Sequence, residues 1–181
     1  MNTRANTPYG PALAALVGDR PMPLGPGRLD STAQAALQHL DLNQLFAGQT
    51  IRDSSMARCC LSGLWLRHNG LDESHTISQD IPSAEGSYWH GIMHRREPDY
   101  GNAKYWFRNV GPHAVFPALC AEASELAPEA PAVTGGQWDP FAFVDMCESA
   151  ARSANEDLCR QIQDCEWRLL FEHCFQRAVE G

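Results

Sequence analysis

The densest chemistry in the chain lies between Tyr88 and His113. Within it His90, His94 and Glu97 fall at i, i+4 and i+7, which on a helix puts all three on one face. Two histidines four apart can hold one divalent metal from a single face, and the other ligands must then come from elsewhere. Glu97 itself, His75 on the preceding helix and His113 beyond Gly111 are the candidates. A site of this make-up, histidine-rich, carboxylate-assisted and with a position left open, suits zinc, iron or manganese. Gly91 follows His90 where a metalloprotease motif has glutamate, so no general base is built into the pair. The competing reading is structural: His90 and His94 hydrogen-bond between helices, and Glu97 pairs with an arginine where the helix stops before Pro98.

The same stretch carries a second chemistry. Arg95 and Arg96 on one turn, with Lys104 and Arg108 four apart on the next helix, would form a basic lip. Guanidinium forks there suit a carboxylate or phosphate. Tyr88, Trp89, Tyr105 and Trp106 would wall the site, and Asn102 would orient a small anionic ligand. A histidine at the lip would serve as acid or base near neutral pH. Against this stands pairing of Arg96 and Arg108 with Glu97, Asp99 or the acidic C-terminal helices, where each exposed pair is worth little.

These residues also resemble a family of bacterial and fungal proteins with a W-H-x-x-M-H-R-R-E-x-D-Y-x-N-x-x-Y-W-F-R core followed by V-G-x-H. Here the resemblance rests on residues 89–97, Asp99, Tyr100, Asn102, residues 105–108, Val110, Gly111 and His113. It covers a short part of the chain. It implies that this segment is the family's signature and that the source is bacterial or fungal, and it transfers no activity.

Side chains placed this way need helices, and helical signals recur from residue 31 onward. Ser31 caps a helix whose Ala33, Ala36, Leu37 and Leu40 form a stripe, stopping at Gly48. Asp53 caps the next, with Met56, Cys59, Cys60 and Leu64 on one side and Gly70 past its end. A third helix spans 71–81, and Ser83 opens a fourth that ends before Pro98. Asp99 caps a fifth, with Ala103, Trp106, Phe107 and Val110 inward and Gly111 as its stop. A sixth starts between Pro112 and Pro117 and reaches Leu126. Asp139 then Pro140 reads as an N-cap and first helical position. Asn155 opens the last and longest helix, whose Leu158, Ile162, Cys165 and Leu169 stripe fits either a cap on the stack or a homodimer seam.

No strand-like alternation has comparable strength, so the fold class is all-α. Residues 55–81 and 85–110 each read as two antiparallel helices joined by a short turn. This predicts an irregular stack of helical hairpins, tetratricopeptide-like but with a shorter repeat. Residues 1–29, rich in proline and glycine, form an irregular arm that rests on the body through Tyr9, Leu13 and Leu16. Residues 30–181 form a single helical domain, with a loop or hinge at 128–139 and a C-terminal hairpin over 140–181.

The 181 residues hold 14 Lys+Arg against 22 Asp+Glu, a net charge of −8, and the whole imbalance falls after residue 113. Nucleic acids and anionic membranes both need basic surface, so neither is expected as a partner. No apolar run approaches the roughly 18–20 residues of a membrane helix. Seven cysteines without a CxxC pair give no zinc-ribbon or thioredoxin-like motif. They read as core thiols in a reducing, cytoplasmic setting. Phosphate-cradling glycine loops and the GxSxG elbow are absent.

Three classes stay open: a metal- or ligand-dependent enzyme or sensor, a helical-repeat interaction module with no catalytic activity, and a scaffold whose signature is its packing core. The first is favoured, because so many residue types used in catalysis on two consecutive helices exceed what packing requires.

Overall fold

The computed structural model describes residues 9–18, 21–151 and 153–180, so the first eight residues of the expected arm lie outside it. Every regular element among the described residues is helical: α1 (Pro11–Val17), α2 (Ser31–His39), α3 (Leu42–Leu45), α4 (Ser54–Arg67), α5 (Leu71–Ser78), α6 (Ala84–Arg96), α7 (Tyr100–Val110), α8 (Phe116–Leu126), α9 (Pro140–Ala150) and α10 (Glu156–Glu180). Asp53, Ser83, Asp99 and Asp139 each accept backbone N–H bonds of the helix that follows, as their positions predict. Two boundaries differ. The first cap is Asp30 rather than Ser31. The helix expected to run to Gly48 breaks at Leu40, because Asp41 and Gln44 form a capping box that starts α3.

The pairs α4–α5 and α6–α7 are the two expected hairpins, and α6 joins them by packing on α4 and α5 as well as α7. All its residues from Glu85 to Arg96 are buried, on every side of the helix. Small residues permit that close approach. A β-carbon on Gly63 of α4 would stand 2.8 Å from the Trp89 ring, and one on Gly91 of α6 would stand 3.1 Å from Phe107 of α7. The long helix α10 closes the other side against α4, α8 and α9, with Ile162 of its expected stripe buried and Leu158, Cys165 and Leu169 half-buried.

The arm is less irregular than its composition predicts, since Pro11 supports a first helical turn in α1. Tyr9 sets its ring edge-on to Phe171 and Phe175, while Leu13 and Leu16 are buried, as expected. Residues 21–30 form no regular element, and their carbonyls lack helical partners. Side chains of the body supply them. Arg67 donates to Val17 and Gly18, Arg160 to Met22, Gln163 to Pro23, and Arg96 to Gly25 and Pro26. Buried backbone acceptors need such donors, so the arginines fasten the arm to the body.

The segment expected as a loop or hinge at 128–139 is packed. Ala130, Ala132, Val133 and Trp138 are buried with residues of α8, α9 and α10 in a second apolar cluster. Six of the seven cysteines are buried and all seven are unbridged. No helix is long and apolar enough to cross a membrane among the described residues.

Candidate metal centre

The face of α6 predicted to carry ligands is turned toward α5. His90 and His94 lie one turn apart, and α5 brings His75 against both. The ring centroids are separated by 4.6 Å for His75 and His90, 5.5 Å for His75 and His94, and 4.8 Å for His90 and His94. The three offer ligand atoms that all lie within 4.8 Å of one another. A tetrahedral zinc would hold such nitrogens roughly 3.3 Å apart, so the rings must close slightly. His75, on the shorter helix, is the half-buried member of the three. His90 and His94 are buried, and the Trp106 ring lies 4.1 Å from His90 as a partial cover.

The surrounding hydrogen bonds set the state of the rings. Ser78, one turn after His75, donates its hydroxyl in a hydrogen bond to the Ser74 carbonyl at 2.8 Å. Its oxygen, 2.8 Å from His90 Nδ1, is then an acceptor. That arrangement suits the His90 tautomer with its proton on Nδ1 and an open Nε2 lone pair. Burial, with His94 and His75 adding to it, pushes the His90 pKa down to about 3. Burial also lowers that of His94, against the pull of Glu97 and Asp99. Both rings are neutral at pH 7, the form that binds metal.

Two of the expected ligands lie elsewhere. Glu97 occupies the C-cap of α6 and stands behind His94, its Oε2 3.2 Å from Nδ1 but off the hydrogen-bond line, outside the three-histidine group. That is the place of a carboxylate orienting a ligating imidazole. His113 does not join the His90–His94 face at all. Helix α7 runs back along α6, so His113 returns to the first turn of α6, beside Glu85.

There a second group forms, Glu85, His113 and His173, which also brings three ligand atoms within 4.8 Å. Its hydrogen bonds spend the lone pairs. His173 Nε2 lies 3.0 Å from Glu85, and Arg177 donates to the same oxygen at 3.1 Å. The His173 hydrogen bond is the main reason the Glu85 carboxyl is held down at about 2. Val115 N–H donates to His113 Nδ1, which leaves the proton on Nε2, facing Glu85 at 3.9 Å. This group is a charge network tying α6, α10 and the α7–α8 connection. His173 had no local signal in the sequence, because its partner Glu85 lies 88 residues away.

The basic lip does not assemble. Arg95 and Arg96 are 1% and 0% exposed. Arg95 forms a bidentate pair with Glu166 of α10 and stacks 4.5 Å over Phe143. Burial works against its charge, and the Glu166 carboxylate outweighs burial. Arg96 serves the arm and also donates to Leu66 O and Asn69. Asn102 is spent on its own helix cap, bonding Asp99. Lys104 pairs with Asp145 of α9. Tyr105 and Arg108 remain at the surface of α7, the guanidinium 5.8 Å from the Tyr105 ring. Ala103, Phe107 and Val110 take the inward face of α7, which turns these others outward. Trp106, expected inward, is only half-buried.

Ser78 was missed from sequence. Its position one turn after His75 on α5 was visible, but its partner is set by how α5 meets α6. Comparison with protein-family models, with curated proteins and with solved structures gives no match, so the site's own geometry carries the functional argument.

Proposed function

We propose that this chain is a divalent-metal protein in which His75, His90 and His94 bind zinc, iron or manganese. The observation that carries the reading is the convergence of three imidazoles from two helices, two of them buried, with Ser78 Oγ 2.8 Å from His90 Nδ1. Three protein ligands would leave a coordination position for water or a small ligand, and a metal held there would supply water activation near neutral pH. Ser78 would orient His90, the Glu97 carboxylate 3.2 Å from His94 would support that ring's charge, and Trp106 would limit access. Metal analysis of tag-free protein tests the reading. Near-stoichiometric metal that is lost in His90→Ala/His94→Ala and kept in His113→Ala is expected. Wild type that stays metal-free after incubation with zinc, iron(II) and manganese overturns it.

A second reading is binding of a small anionic ligand. It draws on a cavity of about 840 Å³ lined by Phe107, Arg108, His113, Phe116, Trp138 and Phe141. Aromatic walls with one arginine suit an aromatic carboxylate. Titration with benzoate, against Arg108→Gln, tests it. The interaction-module reading has less support. Among the described residues the exposed large hydrophobics are Tyr105 and Leu126, single residues on different helices.

A further inference from the structure

Two pairs of thiols meet against α10. Cys59 of α4 and Cys174 hydrogen-bond inside the main core, both 0% exposed. Cys147 of α9 and Cys159, near the start of α10, hydrogen-bond in the second apolar cluster. The second pair has a cavity beside it. Cys159 forms part of the wall of a space of about 660 Å³ between the end of α8, α9 and the start of α10. Leu126, Pro131, Met146 and Leu158 help make that wall mainly apolar, and its charged members are the carboxylates of Glu129 and Asp145. Cys147 is outside the wall and buried. The two sulfurs also differ in acidity. A hydrogen bond from Cys147 lowers the Cys159 thiol from its ordinary range, against burial, and the Arg95 guanidinium adds to that. The same bond, with burial, pushes Cys147 up. The sulfur on the cavity wall is therefore the one readier to ionise, and its neighbour keeps its proton. By contrast Cys165, the half-buried thiol of α10, is pushed up to about 11 by burial and Glu122.

We infer that Cys147 and Cys159 are a redox-active dithiol that reduces a neutral organic hydroperoxide held in the apolar cavity, closing to a disulfide between α9 and α10. The thiolate is the attacking form of cysteine, which assigns the first step to Cys159. Its sulfur attacks the outer peroxide oxygen. An S–O bond forms, the O–O bond breaks, and the alkoxide leaves as an alcohol with the proton that Cys159 released. The Cys147 sulfur then attacks the sulfenic sulfur of Cys159. An S–S bond forms, the S–O bond breaks, and hydroxide leaves as water with the Cys147 proton. Together the two sulfurs lose one electron pair and the peroxide gains it. The apolar wall suits the hydrocarbon part of such a substrate, while Glu129 and Asp145 disfavour an anionic oxidant. This site is separate from the three histidines and stands without the metal reading.

Mixing the full reduced chain with cumene hydroperoxide or hydrogen peroxide, in chelator to exclude trace metal, tests this by thiol titration and peptide mapping. Wild type should lose a pair of its seven thiols, with Cys147 and Cys159 found in one disulfide-linked peptide. Cumene hydroperoxide should outpace hydrogen peroxide by about tenfold beyond the ratio both show with N-acetylcysteine, as burial of its aromatic group predicts. In Cys147→Ser the reaction should stop at a sulfenic acid on Cys159, trapped by dimedone. A wild type that keeps all its thiols under conditions that consume N-acetylcysteine overturns the proposal. So does a first disulfide between Cys59 and Cys174, or one that involves Cys165. A Cys147–Cys159 disulfide formed without the preference for cumene hydroperoxide overturns the cavity as the substrate site. These outcomes are read on wild type, so they hold whether or not the variant folds.

Discussion

Ser78 Oγ stands 2.8 Å from His90 Nδ1 and donates a hydrogen bond to the Ser74 carbonyl. One hydroxyl thereby anchors a buried histidine whose ring also meets His75 and His94. Removing such an orienting group typically costs 10–100-fold in metal affinity. Ser78→Ala should lower affinity by about that factor with the helical content unchanged, read by competition with a chromophoric chelator. Unaltered affinity would mean that packing alone holds the ring.

The Arg95–Glu166 pair is buried on both sides. Glu166→Gln leaves an uncompensated guanidinium in the interior and should cost about 3–5 kcal/mol in urea unfolding. The double change Arg95→Met/Glu166→Leu removes both charges and should recover most of that loss. Additive losses would show that the charges do not compensate each other.

Acid should weaken the metal-free protein early. Burial holds His90 at about 3 and His113 at about 4, both below the ordinary 6.5. As pH falls through about 6.5 the unfolded chain takes up these protons first, so stability declines from there toward pH 4. Glu85 adds to the loss at lower pH. Its carboxyl, held at about 2 mainly by His173, contributes fully above 4.5 and loses that contribution as pH falls toward 2. Urea midpoints should fall steadily between about pH 7 and pH 4; a flat profile would contradict the burial of these imidazoles in neutral form.

Two glycine substitutions should act in opposite directions. Gly63→Ala drives a β-carbon to 2.8 Å from the Trp89 ring. Overpacking of this kind costs about 1–3 kcal/mol. Gly101→Ala meets nothing nearer than 3.9 Å, at Asp99 Oδ1, in the first turn of α7. It should stabilise by about 0.4–1 kcal/mol through the unfolded chain. Thermal unfolding of both separates helix propensity from packing.

The sequence alone determined what acts over a few residues. Asp53, Ser83, Asp99 and Asp139–Pro140 announced helix starts because a short acceptor or a fixed φ satisfies the free N–H groups of the very next turn. The spacing of His90 and His94 placed them on one face for the same local reason, and His75 needed only a short connection to reach them. Tertiary structure decided everything that depends on which helix arrives from afar. Arg95 and Arg96 are adjacent and alike in sequence, yet one meets Glu166 and the other the carbonyls of the arm, because neighbours on a helix point about 100° apart. His113 went to Glu85 and His173 instead of His90, since an antiparallel hairpin returns its far end to the start of its partner. The composition of the arm showed its irregularity but not the donors that hold it, which come from α4, α6 and α10. Short-range hydrogen bonds are written in neighbouring residues, whereas pairing of buried charges is chosen by the packing that removes them from water.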